Sequence, residues 1–182
     1  MLTFRTEREK IFMKNIFILF LGLFLTATAV LAQPAPFQDS LLDQFSGKWV
    51  LRGTIDGKQT THDIEVQWIL GHLYMQFREV SREKDTTGAP AYEALVTIGW
   101  DESSKQYACL WLDNTAAGGL TGIIAFAKRE PDRIAFLFKM KVGSLFHTIF
   151  VRDRKADSWE WLMDGEENGK REPFARVRLQ RK

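Results

Sequence analysis

The chain has 182 residues, with 25 Lys and Arg against 23 Asp and Glu, 45% hydrophobic residues and one cysteine. A net charge of +2 lacks the basic excess by which nucleic-acid binders engage phosphates, so no nucleic-acid partner is expected. A lone cysteine, Cys109, excludes an internal disulfide, so the fold must be held by its core and its hydrogen-bonded ladders.

The first 32 residues read as a signal peptide. Lys10 and Lys14 precede an apolar run over 16–25, and "TATAVLA" then ends with Val30 and Ala32 in the small-residue pattern of a cleavage site. Met13 opens "MKNIFILF", a more usual start than the first twelve residues. The apolar stretch 16–31 falls short of the ~20 residues needed to span a bilayer, so no stable membrane span is expected after cleavage. The protein is therefore expected to be exported, either periplasmic or secreted. Residues 33–37, "QPAPF", read as a linker, and 38–182 as one domain. The four basic and two acidic residues of the leader carry away the excess charge, leaving the remainder balanced.

"DSLLDQF" predicts a short helix with Asp39 or Ser40 as its cap, and with Leu41 and Phe45 four apart on one side. From Lys48 onward, strand-like alternation is broken by turn signals at Asp56, Gly71, Lys84, Asp101, Asp113, Glu130, Gly143, Asp153 and Asp164, which separate ten strands. The inward rows include Trp49, Leu51, Gly53 and Ile55; Ile64, Val66, Trp68 and Leu70; Tyr92, Ala94, Val96, Ile98 and Trp100; and Ile134, Phe136, Phe138 and Met140. Pro173, Ala175, Val177 and Leu179 form the row of the last strand. Every connection is too short for a parallel crossover. The fold class predicted is all-β: a single antiparallel up-and-down barrel of about ten strands, with the short N-terminal helix plugging one end.

"FSGKW" at 45–49 places a Gly where the chain turns from the plug helix into the first strand, and a Trp two residues later. This Gly-X-Trp start resembles the lipocalin-like, or calycin, superfamily, in which an Arg of the last strand packs across the Trp. The resemblance implies that Gly47, Trp49 and Arg181 form a structural closure motif, with Arg178 as the alternative to Arg181. The domain is also similar to a group of small exported bacterial proteins carried under a domain-of-unknown-function label. The resemblance rests on "GWDESSKQYACLWLDN" (99–114), Gly118, Gly119 and Gly122, and a closing Arg-Lys. It implies a fold and leaves the function open.

The residues expected to line a cavity are Trp68, Met75, Phe77, Tyr92, Trp100, Tyr107, Trp111, Phe136, Phe138, Met140, His147 and Trp161. Three readings follow. The first is a non-enzymatic binder of a small apolar or amphipathic ligand entering opposite Trp49. The second is a haem-binding or enzymatic barrel using His147, with Tyr92 or Tyr107, although some related barrels bind haem through a His nearer the chain end and none follows His147 here. The third is a solid barrel acting as an interaction or homodimerisation module through "CLWL" and "GIIAF", strands apolar on both faces. No nucleophile elbow, zincin motif or phosphate loop occurs, and His62 and His72 lack further ligands at metal spacing. Neither catalytic residues nor a metal site are assigned, and no cofactor is favoured.

Overall fold

The computed structural model describes residues 35–115, 124–140 and 143–182. The expected leader and the glycines at 118, 119 and 122 lie outside them. Ten antiparallel strands close into a barrel in the order β1-β10-β9-β8-β7-β6-β5-β4-β3-β2. They are β1 (Gly47–Ile55), β2 (Lys58–Ile69), β3 (Tyr74–Ser81), β4 (Glu93–Asp101), β5 (Gln106–Asp113), β6 (Ile124–Ala127), β7 (Arg133–Lys139), β8 (Leu145–Asp153), β9 (Ser158–Glu167) and β10 (Lys170–Arg181). Each strand pairs with its sequence neighbours, and β1 pairs with β10 to remove the last edge.

A one-turn helix, α1 (Ser40–Asp43), closes one end. Asp39 is its cap: Oδ1 accepts from the amides of Leu41 and Leu42, each at 2.9 Å. The buried Oδ2 accepts the Tyr107 hydroxyl at 2.7 Å and pairs with Arg129 at 2.6 Å, fastening the helix to the barrel wall. Phe45 then enters the barrel, stacked on Trp159 at 3.6 Å and edge-on to Phe77 and Phe150 at 5.0 and 5.3 Å. Phe37 belongs to this end too, although it reads as linker in the sequence. Its ring stacks on Trp100 at 5.7 Å and its amide donates to the His72 carbonyl.

The closure motif joins this end to the seam between β1 and β10. Trp49 is fully buried, its indole N–H donates to the Phe45 carbonyl at 2.6 Å, and Arg181 lies over its ring at 4.3 Å. The Arg181 guanidinium also donates to the carbonyls of Ser46 and Gln44, which the short helix leaves unpaired, and to Asp157. Gly47 has φ +122°, and a Cβ there would lie 3.0 Å from that guanidinium. Gly53 is more constrained still: its Cβ would sit 2.3 Å from the Arg176 carbonyl oxygen across the seam. Arg178, the alternative partner, instead pairs outside with Glu160. The inward row of β10 is interrupted by a register shift between Pro173 and Ala175. Pro173 consequently drops out of the row and is exposed.

Replacing Trp49 by Ala is expected to cost about 3–5 kcal/mol, the usual loss for a large buried aromatic, read as a lower denaturation midpoint. A pH prediction comes from two carboxylates. Asp63 is held well below its ordinary range by hydrogen bonds from Arg82, at 2.8 and 2.9 Å, and by Lys182. Burial raises Asp164, but Arg176 and Arg171 outweigh it and leave this carboxyl lowered as well. Depressed folded-state values mean that stability is fully present above the unfolded value of about 4 and is lost as pH falls through the folded ones. The melting temperature should therefore drop on acidification below about pH 4, and Asp164→Asn should make that drop shallower while lowering the melting temperature at neutral pH.

Candidate functional site

Strand direction divides the barrel interior in two. The starts of odd-numbered strands and the ends of even-numbered ones lie at the plugged end, where the rings of Phe45, Trp49, Phe77, Phe150 and Trp159 are buried together in the core. At the other end a cavity of about 500 Å3 opens between Ile55, His62, Glu79, Tyr92, Trp111, Phe138, Met140, Phe146, Thr148, Trp161, Met163 and Phe174. Its mouth carries Lys58, Gln59, Thr60, Glu83, Asp113 and Thr115. The cavity thus lies opposite Trp49.

One wall is apolar. Trp111 of β5 and Trp161 of β9 meet across the barrel at 5.4 Å, with Phe150 stacked on Trp161 at 4.7 Å and Phe138 edge-on to Trp111 at 6.3 Å. Phe174, at the register shift of β10, packs edge-on to Phe146. Met140 and Met163 add the flexible side chains that let such a wall adapt to an occupant.

The facing wall is a hydrogen-bonded cluster on β2 to β5. His62 and Glu79 are 3% and 2% exposed, and their Nδ1 and Oε1 atoms form a short pair. His62 Nε2 lies 2.8 Å from Thr60 Oγ1, which is itself 2.8 Å from Glu83 Oε2. Burial raises the Glu83 carboxyl, but hydrogen bonds from backbone amides and the Thr60 hydroxyl outweigh it and hold this group below its usual range. An ionised Glu83 only accepts, so the Thr60 hydroxyl donates to it and must accept from His62 Nε2–H. One proton then remains to be shared between His62 Nδ1 and Glu79, and the pair as a whole is neutral.

Tyr92 stacks on His62 at 5.7 Å. Its hydroxyl accepts from the Trp111 indole N–H at 3.1 Å and reaches Asp113 at 3.4 Å. Burial, with Glu79 and Asp113 nearby, pushes the phenol far above its ordinary value, so Tyr92 keeps its proton and donates it to Asp113.

Of the twelve side chains expected to line a cavity, Tyr92, Trp111, Phe138, Met140 and Trp161 do so. Met75, Phe77, Tyr107 and Phe136 are interior but packed among the core residues. Trp68 and Trp100 sit at the plugged end, donating to Asp43 and Glu102. His147 requires a correction. Phe146 and Thr148 line the cavity, so the residue between them points outward, and His147 pairs there with Glu166 at 2.7 Å. The residues present do not fit a haem: His147 faces away, and His62 has both ring nitrogens engaged. Among the described residues no cluster of three or more His, Cys, Asp or Glu side chains is arranged to hold a metal ion. Cys109 is buried, and that burial pushes its thiol far up.

Sequence reasoning missed Glu79, Glu83, Asp113, Thr60 and Thr148. A signal was present, because Thr60 and His62 share a phase with Ile64 and Val66, and Glu79 and Ser81 share one with Met75 and Phe77. Inward rows that turn polar toward one end mark a polar wall. On the outer face, Ile124 and Phe126 of "GIIAF" are 57% and 45% exposed, as is Leu95 of β4 at 43%, whereas no side chain of "CLWL" is among the exposed large hydrophobic residues. No family model matches the chain, and no curated protein matches it in sequence.

Removing the imidazole should be costly. His62→Ala leaves Glu79 buried without its partner and is expected to destabilise the protein by about 3–5 kcal/mol, the usual consequence of breaking a buried pair. Chemical denaturation measures it. A change below about 1 kcal/mol, the range of exposed pairs, would contradict this placement of the pair.

Proposed function

We propose that the protein is an exported, non-enzymatic binder of a small amphipathic molecule, held in the open half of the barrel. The observation that carries this reading is the division of one 500 Å3 cavity into an aromatic and methionine wall and a buried hydrogen-bonding wall. Ligand pockets typically combine a mostly apolar lining with a few placed polar groups, within ~300–1,000 Å3. A barrel meant only as a solid scaffold would gain from filling that volume, since voids cost packing energy. The resemblance of Gly47, Trp49 and Arg181 to the lipocalin-like closure supports the same reading, because such barrels keep one end shut and one end for the ligand.

The chemistry of the polar wall favours binding over catalysis. Thr60 is the hydroxyl nearest His62, yet it gives its proton to Glu83 and accepts from the imidazole. A nucleophile would need the opposite arrangement, with the imidazole accepting. Tyr92 likewise holds its proton against Asp113.

The test is titration with the neutral apolar dye N-phenyl-1-naphthylamine, whose fluorescence rises in an apolar site. One dye per chain is expected to bind. Thr148→Phe, which puts a ring into the cavity between Phe146 and Phe150 on β8, should weaken binding by about tenfold or more, a loss of one good contact's worth of affinity, while circular dichroism shows the barrel intact. Absence of dye binding to the native protein would contradict the proposal.

A further inference from the structure

The polar wall has a sign. Three lining side chains, Glu79, Glu83 and Asp113, are carboxylic, and Tyr92 directs its proton toward Asp113. Against them stand the His62 proton, already shared with Glu79, and Lys58 at the rim. Within the polar wall the donors of Thr60 and His62 are engaged, and the buried Trp161 indole N–H that lacks a partner lies on the opposite, apolar wall, so the polar wall itself is left with free acceptors. The clearest is Glu79. Its side chain is 3% exposed and lines the cavity; Oε1 is occupied by His62, and Oε2 has no hydrogen-bond partner among the described residues. A carboxylate oxygen that faces the cavity without a protein donor is open to a ligand that brings one. Whichever of the pair holds the shared proton, Oε2 remains an acceptor.

The neighbouring rings have the matching preference. Trp111, Trp161 and Tyr92 line the same cavity as these acceptors, and aromatic rings attract cations. An anionic head group would instead meet the Glu83 and Asp113 carboxyl groups beside the neutral His62–Glu79 pair, with Lys58 as the one ammonium among the described lining residues.

Building on the binding reading above, we propose that the ligand's head group is a protonated amine. Its N–H donors seat on the acceptor wall of Glu79 and Asp113, and its apolar body lies against Trp111, Trp161 and Phe138. The amphiphile is therefore cationic, and fatty carboxylates are rejected by charge.

Calorimetric titration at pH 7 with octylamine, octan-1-ol and octanoate separates the charge of the head from the shared chain. Octylamine should bind about tenfold or more tightly than octanol, the scale of one hydrogen bond to a charged group, with octanoate the weakest. Asp113→Asn, at the rim and checked for folding by circular dichroism, should narrow the octylamine preference severalfold and leave octanol unchanged. Glu79→Gln, checked for folding by circular dichroism, should do the same. Octanol or octanoate binding as tightly as octylamine overturns the amine assignment, as does failure of all three to bind a protein that still takes up N-phenyl-1-naphthylamine. Failure of the dye as well would instead bring down the binding reading on which the assignment rests.

Discussion

Everything in this barrel depends on how its first and last strands are sealed at the plugged end. The Arg181 guanidinium covers the Trp49 indole, satisfies two carbonyls at the exit of α1 and pairs with Asp157. One side chain thereby ties the plug, the seam and the β8–β9 turn together. A stacked guanidinium contributes only about 0.5–2 kcal/mol, so its importance lies in geometry. It fixes where the chain enters β1, and with it which end of every later strand is closed.

From that constraint the two halves of the interior follow. Because α1 delivers Phe45 into the barrel, the plugged half is filled by stacked rings and needs no occupant. The open half begins where that stack ends, at Trp161 and Trp111. There the inward rows of β2 and β3 change from aliphatic and aromatic residues to Thr60, His62, Glu79 and Ser81. Burial of such groups is tolerable only when they satisfy one another, which the chain from Glu79 through His62 and Thr60 to Glu83 does. Placing that network in the hollow half leaves its outer acceptors facing an adaptable aromatic wall.

The architecture was legible because turn residues punctuate the chain and the period-two rows are unambiguous: ten strands, a meander and a capped plug helix. Part of the cavity was legible for the same reason, through Tyr92, Trp111, Phe138, Met140 and Trp161. The inward rows could not by themselves say how deep a residue sits. Trp68 ends β2, Met75 begins β3, Trp100 ends β4 and Tyr107 begins β5, so counting strand directions from the plug places all four at the shut end. His147 was misplaced because Ile149 and Val151, with which it is in phase, are apolar residues on the outer face of a sheet whose inner face carries Phe146, Thr148 and Phe150. Apolarity on both faces of β8 hides which is inside. The polar wall was overlooked because its members are spread over four strands, and only the closed register brings Glu79 to His62.

The central claim is that this barrel is solid at one end and hollow at the other, and methionine methyl resonances report on both halves. Met140 and Met163 line the cavity, whereas Met75 is packed in the filled interior. On titration of the methyl-labelled protein with N-phenyl-1-naphthylamine, the Met140 and Met163 methyl signals should shift together while Met75 stays fixed. Equal shifts at all three, or a shift at Met75 alone, would contradict the account.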